Sequence, residues 1–382
     1  MRFPGFTDEW EEYTIEEIAK IEKGNGISKD QLSEDGEECI LYGELYTKYK
    51  SEIINEIYSK TNINSSKLTR SQENDVIIPC SGESAQDIAT ARCVSKDGIL
   101  LGGDLNIIRF KGQDGAFMSY QLNGKRKYDI ARVAQGVSVV HLYPDHLKSV
   151  KVNIPQIEEQ RKIVNLLSLI DERVAVQNKI IEDLKKLKSA IIDNYFTVSK
   201  NGVRLGSLIT EVSLRNKEKR DKQVLSVSNR LGFIAQSEQF GDRTIASDDT
   251  SNYKIVKKND FAYNPARINV GSIARLINCE EGIVSPMYIC FCCNEQLMPE
   301  YLELFFESKV FQTEVDKRLE GSVRLCLSFE GLKSIMLAVP KIEEQKNYAH
   351  RLTTIHSKVE LETSILAYYQ KQRQYLLSHM FI

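Results

Sequence analysis

The sequence lacks a long apolar run, because no stretch approaches the roughly 18 to 20 consecutive apolar residues that span a bilayer. Its first ten residues, MRFPGFTDEW, are too polar for a secretory signal, so we expect a cytoplasmic protein without a membrane partner. Net charge is nearly absent as well, at -2 over 382 residues. A chain without excess positive charge has no bulk attraction for nucleic acid, so any surface that binds nucleic acid must be local.

Metal-ligand patterns are also missing. The five histidines are scattered, and they do not combine with the eight cysteines into the spacing of a zinc site. In a cytoplasmic protein the cysteines are then expected to be reduced, buried thiols. They are Cys39, Cys80, Cys93, Cys279, Cys290, Cys292, Cys293 and Cys326.

What the sequence does contain is a repeat of itself at an offset of 185 residues. The segment IPQIEEQ at 154–160 returns as VPKIEEQ at 339–345, and LKSV at 147–150 returns as LKSI at 332–335. The same offset relates Gln135-Gly136 to Glu320-Gly321, Ile88-Ala89 to Ile273-Ala274, and Asp75 to Asp260. An offset held this far indicates a duplicated module. Each copy is predicted to be a globular domain of about 150 residues followed by one helix of about 40.

Each repeated segment leads into a heptad pattern, with seam residues at alternating steps of four and three, as in a coiled coil. The seam residues of the first helix are Ile163, Leu167, Ile170, Val174, Gln177, Ile181, Leu184, Lys188, Ile191 and Tyr195. Those of the second are Tyr348, Leu352, Ile355, Val359, Glu362, Leu366, Tyr369, Arg373, Leu376 and Met380. The polar residues among them occupy equivalent positions in the two helices, where they lower stability and fix register and partner.

Two matching apolar stripes in one chain most simply bury each other, although seams that hold other subunits are an open alternative. Because the chain runs domain, helix, domain, helix, a pair within the chain must be antiparallel, as a rod of roughly 60 Å. The predicted fold class is therefore α+β. It consists of two similar globular α/β domains separated by two long antiparallel helices that form a coiled coil, with a pseudo-twofold internal repeat.

With its duplication, its two Pro-x-Ile-Glu-Glu-Gln segments and its two intervening domains, the chain resembles the specificity subunit of type I restriction-modification enzymes over nearly its whole length. The resemblance divides the chain into a first target-recognition domain at 1–155, a central long helix at 156–198, a second recognition domain at 199–340 and a terminal long helix at 341–382. In the second domain, NPARINVG at 264–271 and GSVR at 321–324 resemble segments common in such domains. The first domain has PCSGE at 79–83 and QGVS at 135–138 instead, without counterparts of Arg267 and Arg324.

The resemblance implies a non-catalytic subunit that reads a two-part sequence in double-stranded DNA, one part per recognition domain, with the helices setting the gap. Other subunits would supply the chemistry. Modification subunits, two of them expected, would transfer methyl groups from S-adenosylmethionine to adenine N6, and restriction subunits would use ATP and Mg to translocate and cut DNA. This chain is expected to bind no cofactor or metal itself. It has no P-loop and no complete glycine-rich cofactor loop. Asn264-Pro265 also lacks the second proline and the aromatic of the adenine methyltransferase motif.

DNA contacts are expected where basic residues crowd into predicted loops, and such residues mostly neutralise phosphates. Planar donors and amides could instead reach base edges in the major groove, and glycine allows close approach of the backbone to a phosphate. The candidates are Ser81, Gly82, Lys125, Arg126, Lys127, Arg215, Lys217, Lys219, Arg220, Lys222, Arg267, Asn269 and Arg324. Tyr46, Tyr49, Tyr58 and Tyr263 offer surfaces for base stacking, but core packing is the preferred prediction for each.

Two other readings of the sequence are open. A coiled-coil adaptor that joins proteins without binding DNA would explain the helices, but not the two large diverged domains beside them. A silent or orphan specificity subunit would fold in the same way and lack its partner subunits.

Overall fold

The computed structural model describes residues 2–136, 139–197, 202–218, 222–229, 231–236, 249–322 and 324–381. The chain forms two compact units. The first unit consists of Met1–Asn178 and Ser364–Ile382, and the second unit consists of Lys179–Thr363. A first long helix spans Ile157–Tyr195 and a second spans Ile342–His379. Each unit therefore contains one globular part together with a segment of each long helix.

The first unit is built on two sheets. The larger sheet has its strands in the order Ala19–Lys23, Leu105–Phe110, Asp75–Pro79, Arg92–Val94 and Ile53–Ile54. The smaller sheet has the order Leu100–Leu101, Glu37–Ile40, Ser59–Thr61 and Leu32–Ser33. Two strand pairs are separate from these sheets, Glu11–Thr14 with Lys151–Ile154 and Ser81–Gly82 with Val140–His141. The shorter helices are Ile15–Ile18, Glu44–Thr47, Ala85–Ile88, Gly115–Asn123, Lys127–Val133 and Pro144–Lys148, with a 3-10 turn at Lys29–Gln31.

The second unit repeats this plan. One sheet has the order Ile209–Glu211, Ile289–Cys293, Phe261–Tyr263 and Ile273–Arg275. The other has the order Gly232–Ala235, Val224–Ser228, Glu281–Val284 and Lys254–Lys257. A further pair joins Val203–Arg204 to Met336–Leu337. The shorter helices are Pro299–Phe306, Lys309–Asp316 and Phe329–Lys333, with 3-10 turns at Leu205–Ser207 and Ile268–Val270.

Several backbone details recur at the predicted offset. Asn74 and Asn259 both have positive φ, at 80° and 71°. Asp75 Oδ2 accepts a hydrogen bond from the backbone three residues earlier at 2.8 Å, and Asp260 Oδ2 does the same at 2.7 Å. These shared turns confirm the internal repeat in three dimensions.

The offset of 185 is not constant throughout, which the sequence comparison did not detect. Ile77 pairs with Ile107 in the first unit, but its equivalent Ala262 pairs with Cys290 and not with Cys292. The strand register therefore differs by two residues between the units. Loops before and after these strands absorb the difference, since the offset is 185 again at the long helices.

The glutamine that ends each repeated segment fastens the start of a long helix to its own globular part. Gln160 Oε1 accepts a hydrogen bond from Asp114 N, and Gln345 Oε1 accepts one from Met298 N, both at 2.9 Å. In both, Nε2 donates to the carbonyl of the proline five residues earlier, also at 2.9 Å. The two side chains are 1% and 0% exposed. The signature thus encodes a buried joint, present once in each unit.

In the first unit the two long helices run antiparallel. Asp171 contacts Arg373, and the Arg173 guanidinium lies 5.9 Å from the centre of the Tyr369 ring, so residue numbers rise along one helix and fall along the other. Further along, the ends of the helices join the core around Trp10, whose ring centre is 6.5 Å from that of Phe381. Trp10 also donates to Glu159 Oε2 at 3.2 Å.

Charged groups are buried where these helices meet the first globular part. Arg373 is paired with both Asp171 and Glu52. The Tyr120 hydroxyl donates to Asp171 at 2.7 Å, and Arg92 lies 3.8 Å from Glu52. Burial raises the pKa of the Asp171 carboxyl. Burial lowers the pKa of Arg373, but the adjacent carboxylates outweigh burial and raise it. Arg373 therefore stays charged among partners that depend on its charge.

The second unit joins its helix segments through aromatic rings instead. The Tyr195 and Tyr348 rings stack with their centres 3.5 Å apart, and the Tyr348 hydroxyl donates to Ile191 O at 3.2 Å. Phe196 and Tyr301 pack beside them. Lys188, the equivalent of Arg373, pairs with Glu307 at 2.6 Å near the surface.

The predicted seam residues lie on the more buried side of both long helices. Every seam residue is buried or half-buried except Tyr195, which is 39% exposed and stacks on Tyr348. Even the polar positions Gln177 and Glu362 are only 7% and 8% exposed. The predicted fold class, two similar α/β domains with two long helices, is confirmed.

Candidate nucleic-acid interface

A cleft of about 520 Å³ in the second unit brings together residues that are far apart in the sequence. Arg267 and Arg324 both line it, and both side chains are exposed. The remaining lining residues are Leu225, Ser226, Val227, Gln236, Tyr253, Asn264, Ala266, Ser272, Ser285, Met287 and Tyr288. The structure therefore unites the two arginines that the sequence analysis selected separately.

The loop that carries Arg267 is closed by its own backbone. Asn264 N donates to Ser272 O at 3.0 Å, Arg267 N donates to Asn264 O at 3.0 Å, and Ser272 N donates to Arg267 O at 3.1 Å. Gly271 ends the short turn at a φ of 87°, in the left-handed region that favours glycine. Ile268, 4% exposed, anchors the loop in the core. Arg267 thus projects from a rigid loop.

The two ends of the loop that carries Arg324 are joined by backbone bonds as well. Glu320 and Cys326 exchange backbone hydrogen bonds of 2.9 and 2.8 Å across it. Gly321 has a φ of 119°, and a Cβ there would lie 2.3 Å from Arg324 O, so only glycine fits. The two arginine loops are tied together, because Leu327 N donates to Pro265 O at 3.0 Å.

Asn264 places an amide in the wall of the cleft. The residue is only 7% exposed, and its Oδ1 accepts a hydrogen bond from Ala266 N at 3.1 Å. Within the described ranges its Nδ2 has no acceptor. Tyr288 also lines the cleft, where its carbonyl accepts from Lys254 Nζ at 2.8 Å and its hydroxyl accepts from Val227 N at 3.4 Å.

The first unit has a cleft of about 590 Å³ at the equivalent position. Ser81, Gly82 and Val139 line it where Ala266, Arg267 and Arg324 line the other cleft, each 185 residues later. The other lining residues are Tyr42, Gly43, Tyr46, Thr47, Glu83 and Asp87. The first cleft therefore carries two carboxylates and, among the residues that line it, no arginine or lysine.

The described residues of the basic run at 215–222 line neither cleft. Arg215 and Lys217 are exposed, and Arg215 donates to Asn252 O at 2.9 Å. Lys222 is ion-paired with Glu281, with its side chain only 11% exposed, so its charge is already neutralised. Lys219 and Arg220 lie outside the described residues.

The shorter cluster at 124–128 is only partly a loop, because a helix begins at Lys127. Arg126 contacts Asn153 and lies 3.5 Å from Asp129, whereas Lys125 is exposed. A Cβ on Gly124 would lie 2.7 Å from Leu377 O, so this cluster packs against the second long helix.

Other candidates are also placed by the structure. Asn269 lines a neighbouring pocket of about 340 Å³ with Phe306 and Phe311, and not the arginine cleft. Tyr263 and Tyr49 are buried, which confirms core packing, and Tyr46 donates to Ser81 O at 3.2 Å. Tyr58 is 58% exposed. DNA contact at any of the candidate residues stays a prediction.

The sequence analysis missed Asn264, Tyr253 and Tyr288 as cleft residues. The signal available for Asn264 was its position beside Arg267, but its role in the cleft wall depends on tertiary burial.

Cys290 and Cys293 have the C-x-x-C spacing of some metal sites, but both lie in one strand. Residues three apart in a strand point to opposite faces of the sheet, so these two thiols do not face the same ligand. The cysteines are free thiols, and the described residues contain no group of histidine, cysteine and acidic side chains suited to a metal ion. Within the same ranges, none of the helices has both the length and the apolar character to cross a bilayer.

The fold thus defines the class of the protein. It is a duplicated α+β chain with two long helices and one cleft in each unit. Residues 7–186 match the family described as type I restriction modification DNA specificity domain. The MjaVIII specificity subunit, from a type I restriction enzyme of Methanocaldococcus jannaschii, is 23% identical over 384 residues, which cover 93% of this chain and 88% of that protein. Through this domain match and a relative aligned over nearly its whole length, the chain is similar to type I restriction-modification specificity subunits.

Solved structures agree on the fold. The S subunit of a type I restriction-modification system from M. genitalium has a TM-score of 0.62 at 16% identity, covering 100% of this chain and 99% of that one. A chain from a structure describing assembly and conformational transition of the type I R-M system has a TM-score of 0.58 at 14% identity, covering 97% of each chain.

Proposed function

We propose that this protein is the non-catalytic subunit through which a type I restriction-modification complex reads double-stranded DNA, each unit reading one half of a two-part target. The observation that carries the proposal is the recurrence of one cleft at equivalent positions in both units. Two copies of a reading surface in one chain suit two separated stretches of one duplex. The matched family, a DNA specificity domain, supports DNA as the ligand.

Affinity for the duplex would come from exposed cations outside the clefts. Arg215, Lys217 and Lys125 are exposed and suited to phosphate contact, which adds salt-dependent affinity without sequence information. Such local charge is consistent with a net charge of only -2. In this arrangement the outer cations would position the duplex, and the cleft side chains would read its bases.

The proposal includes the partner subunits that would supply catalysis in the cytoplasm. Two modification subunits would bind S-adenosylmethionine, and restriction subunits would bind ATP and Mg. Apolar residues outside the seam support a docking face for partners on the long helices. On the first helix, Leu169, Val176, Ile180 and Leu187 are 50%, 51%, 38% and 50% exposed. On the second, Leu361, Tyr368 and Tyr375 are 54%, 70% and 51% exposed.

Selection from a pool of random DNA duplexes tests the proposal. The chain is incubated with the pool, with and without its modification subunit, and the retained duplexes are sequenced. A two-part motif with a fixed gap is the expected result. A pool without any enriched motif, even with the modification subunit present, would support the coiled-coil adaptor instead.

The spacer role has a separate test. Insertion of one heptad into both long helices adds roughly 10.5 Å of helix. We expect a longer gap between the two half-sites with the letters of each half unchanged. A change of letters would show that reading does not lie in the globular parts.

A further inference from the structure

We propose that the cleft of the second unit reads the acceptor-rich major-groove edge of a guanine, with Arg267 and Arg324 as donors. One half-site then contains a guanine that these arginines select. The inference rests on the proposed DNA-reading function and adds the identity of one base within the target.

The lining of the cleft supplies hydrogen-bond donors and little to oppose them. Arg267 and Arg324 contribute guanidinium groups, which donate and never accept. Asn264 adds an amide nitrogen without an acceptor among the described residues. None of the described lining residues carries a carboxylate. The ligand must therefore present several acceptors close together.

Duplex DNA offers acceptors in two places, the O6 and N7 atoms of guanine and the phosphate oxygens. An exposed cation, such as Arg215 or Lys217, is sufficient to bind a phosphate. The cleft differs because it sets two arginines beside a buried amide. The Asn264 amide nitrogen donates to no acceptor among the described residues, so it is available to a ligand that enters the cleft. A base edge inserted between the arginines meets this requirement better than a phosphate on the outer backbone.

The rigidity of the cleft favours the same assignment. Both arginine loops are closed by backbone hydrogen bonds and tied to each other by the bond between Leu327 N and Pro265 O. Backbone bonds of this kind fix where each arginine leaves the main chain, so less backbone freedom is lost on binding. Nonspecific neutralisation of phosphates needs no such framework.

The first unit provides an internal contrast. At the positions equivalent to the two arginines, its cleft has Gly82 and Val139, and it adds Glu83 and Asp87. Carboxylates accept hydrogen bonds and repel phosphates, so this cleft cannot make the same contact. A guanine that is read by arginine is therefore expected in only one of the two half-sites.

The test uses the full chain with its modification subunit and the duplex motif that this complex selects. At the selected guanine, 7-deazaguanine removes the N7 acceptor and leaves the phosphates unchanged. We expect the wild-type complex to bind the modified duplex roughly 5- to 150-fold more weakly. Of Arg267→Ala and Arg324→Ala, the variant that lacks the donor to N7 should bind natural and modified duplexes nearly equally, whereas the other should bind both more weakly.

Arg215→Ala is the matched control. It should weaken binding to all duplexes evenly and reduce the dependence of affinity on salt, while full discrimination against 7-deazaguanine is retained. Thermal unfolding should match the wild type for each variant, since the loops are held by backbone bonds.

Two failures are distinguishable. If the Arg267 and Arg324 variants weaken binding evenly and keep the wild-type discrimination, the arginines contact phosphate and the inference is overturned. If the wild-type complex selects no two-part motif, the proposed function itself fails.

Discussion

The two clefts occupy the same place in two copies of one fold, yet their chemistry is opposite. Leu142 N donates to Cys80 O at 2.8 Å in the first unit, and the equivalent bond in the second joins Leu327 to Pro265 at 3.0 Å. The frame is thus the same, while one cleft presents carboxylates and the other arginines. The comparison indicates that folding requires the backbone frame, whereas the lining is free to vary with the ligand.

The joints of the long helices show the same division. The buried glutamine is present in both units with the same kinds of bonds. The cations at equivalent seam positions of the two helices have different surroundings. Arg373 lies among buried carboxylates, whereas Lys188 pairs at the surface with Glu307, whose side chain is 42% exposed. Variants at matched positions can therefore separate shared features from those particular to one unit.

The largest expected difference is at the seam cations. Arg373→Met leaves the buried Asp171 with only the Tyr120 hydroxyl and Glu52 with the more distant Arg92, and it should lower the free energy of unfolding of the first unit by about 3 kcal/mol. Lys188→Met breaks a pair near the surface and should cost less than about 1 kcal/mol. Hydrogen exchange measured by mass spectrometry on peptides of each unit would show the two effects separately. Equal protection losses in the two variants would contradict the burial of this charge cluster.

At the glutamine joints we expect equal effects. Gln160→Ala and Gln345→Ala each remove an amide that binds buried backbone groups, so each should destabilise its own unit by about 2 kcal/mol. Exchange at the first turns of the long helices measures the loss, and Gln156→Ala, on an exposed side chain, is the control. A loss confined to one of the two joints would show that the repeat is not equivalent there.

The smallest effect concerns the equivalent buried carboxyls Asp75 and Asp260. Burial raises the pKa of both above the ordinary value of 3.8. A carboxyl of this kind contributes stability that is complete below its unfolded pKa and is lost as the pH rises through its folded pKa. Asp260→Asn should abolish this pH-dependent loss of stability in the second unit. The free energy of unfolding should then rise by at most about 1 kcal/mol at neutral pH.

Asp75→Asn should bring no such gain, because Arg109 Nε lies 3.1 Å from Asp75 Oδ1 and would lose a partner. Unfolding followed by unit-specific exchange between the acid range and neutral pH checks both expectations. If the Asp260 variant kept the wild-type dependence on pH, the pKa of Asp260 would not be raised in the folded state.

The long helices and the repeat were predictable because their signals are local. The predicted helices at 156–198 and 341–382 correspond to observed helices at Ile157–Tyr195 and Ile342–His379. A heptad seam and a proline at the start depend only on neighbouring residues. The division into recognition domains at 155 and 340 stays a prediction, since the compact units include parts of the helices.

The candidate site was predictable only in part. Arg267 and Arg324 were identified from short segments that resemble the family, but their common cleft was not. Lys222 was grouped with its basic neighbours, although the structure pairs it with Glu281, which is distant in the sequence. Charge runs do not reveal such pairs, because an ion pair depends on which strands become neighbours.

The sequence by itself determined the duplication and the heptad helices, because periodicity and repeated segments are properties of the linear chain. Tertiary structure alone decided which side chains share a cleft, which cations are neutralised and where the strand register shifts by two residues. These features depend on contacts between distant segments, and their energies come from burial that no single segment determines.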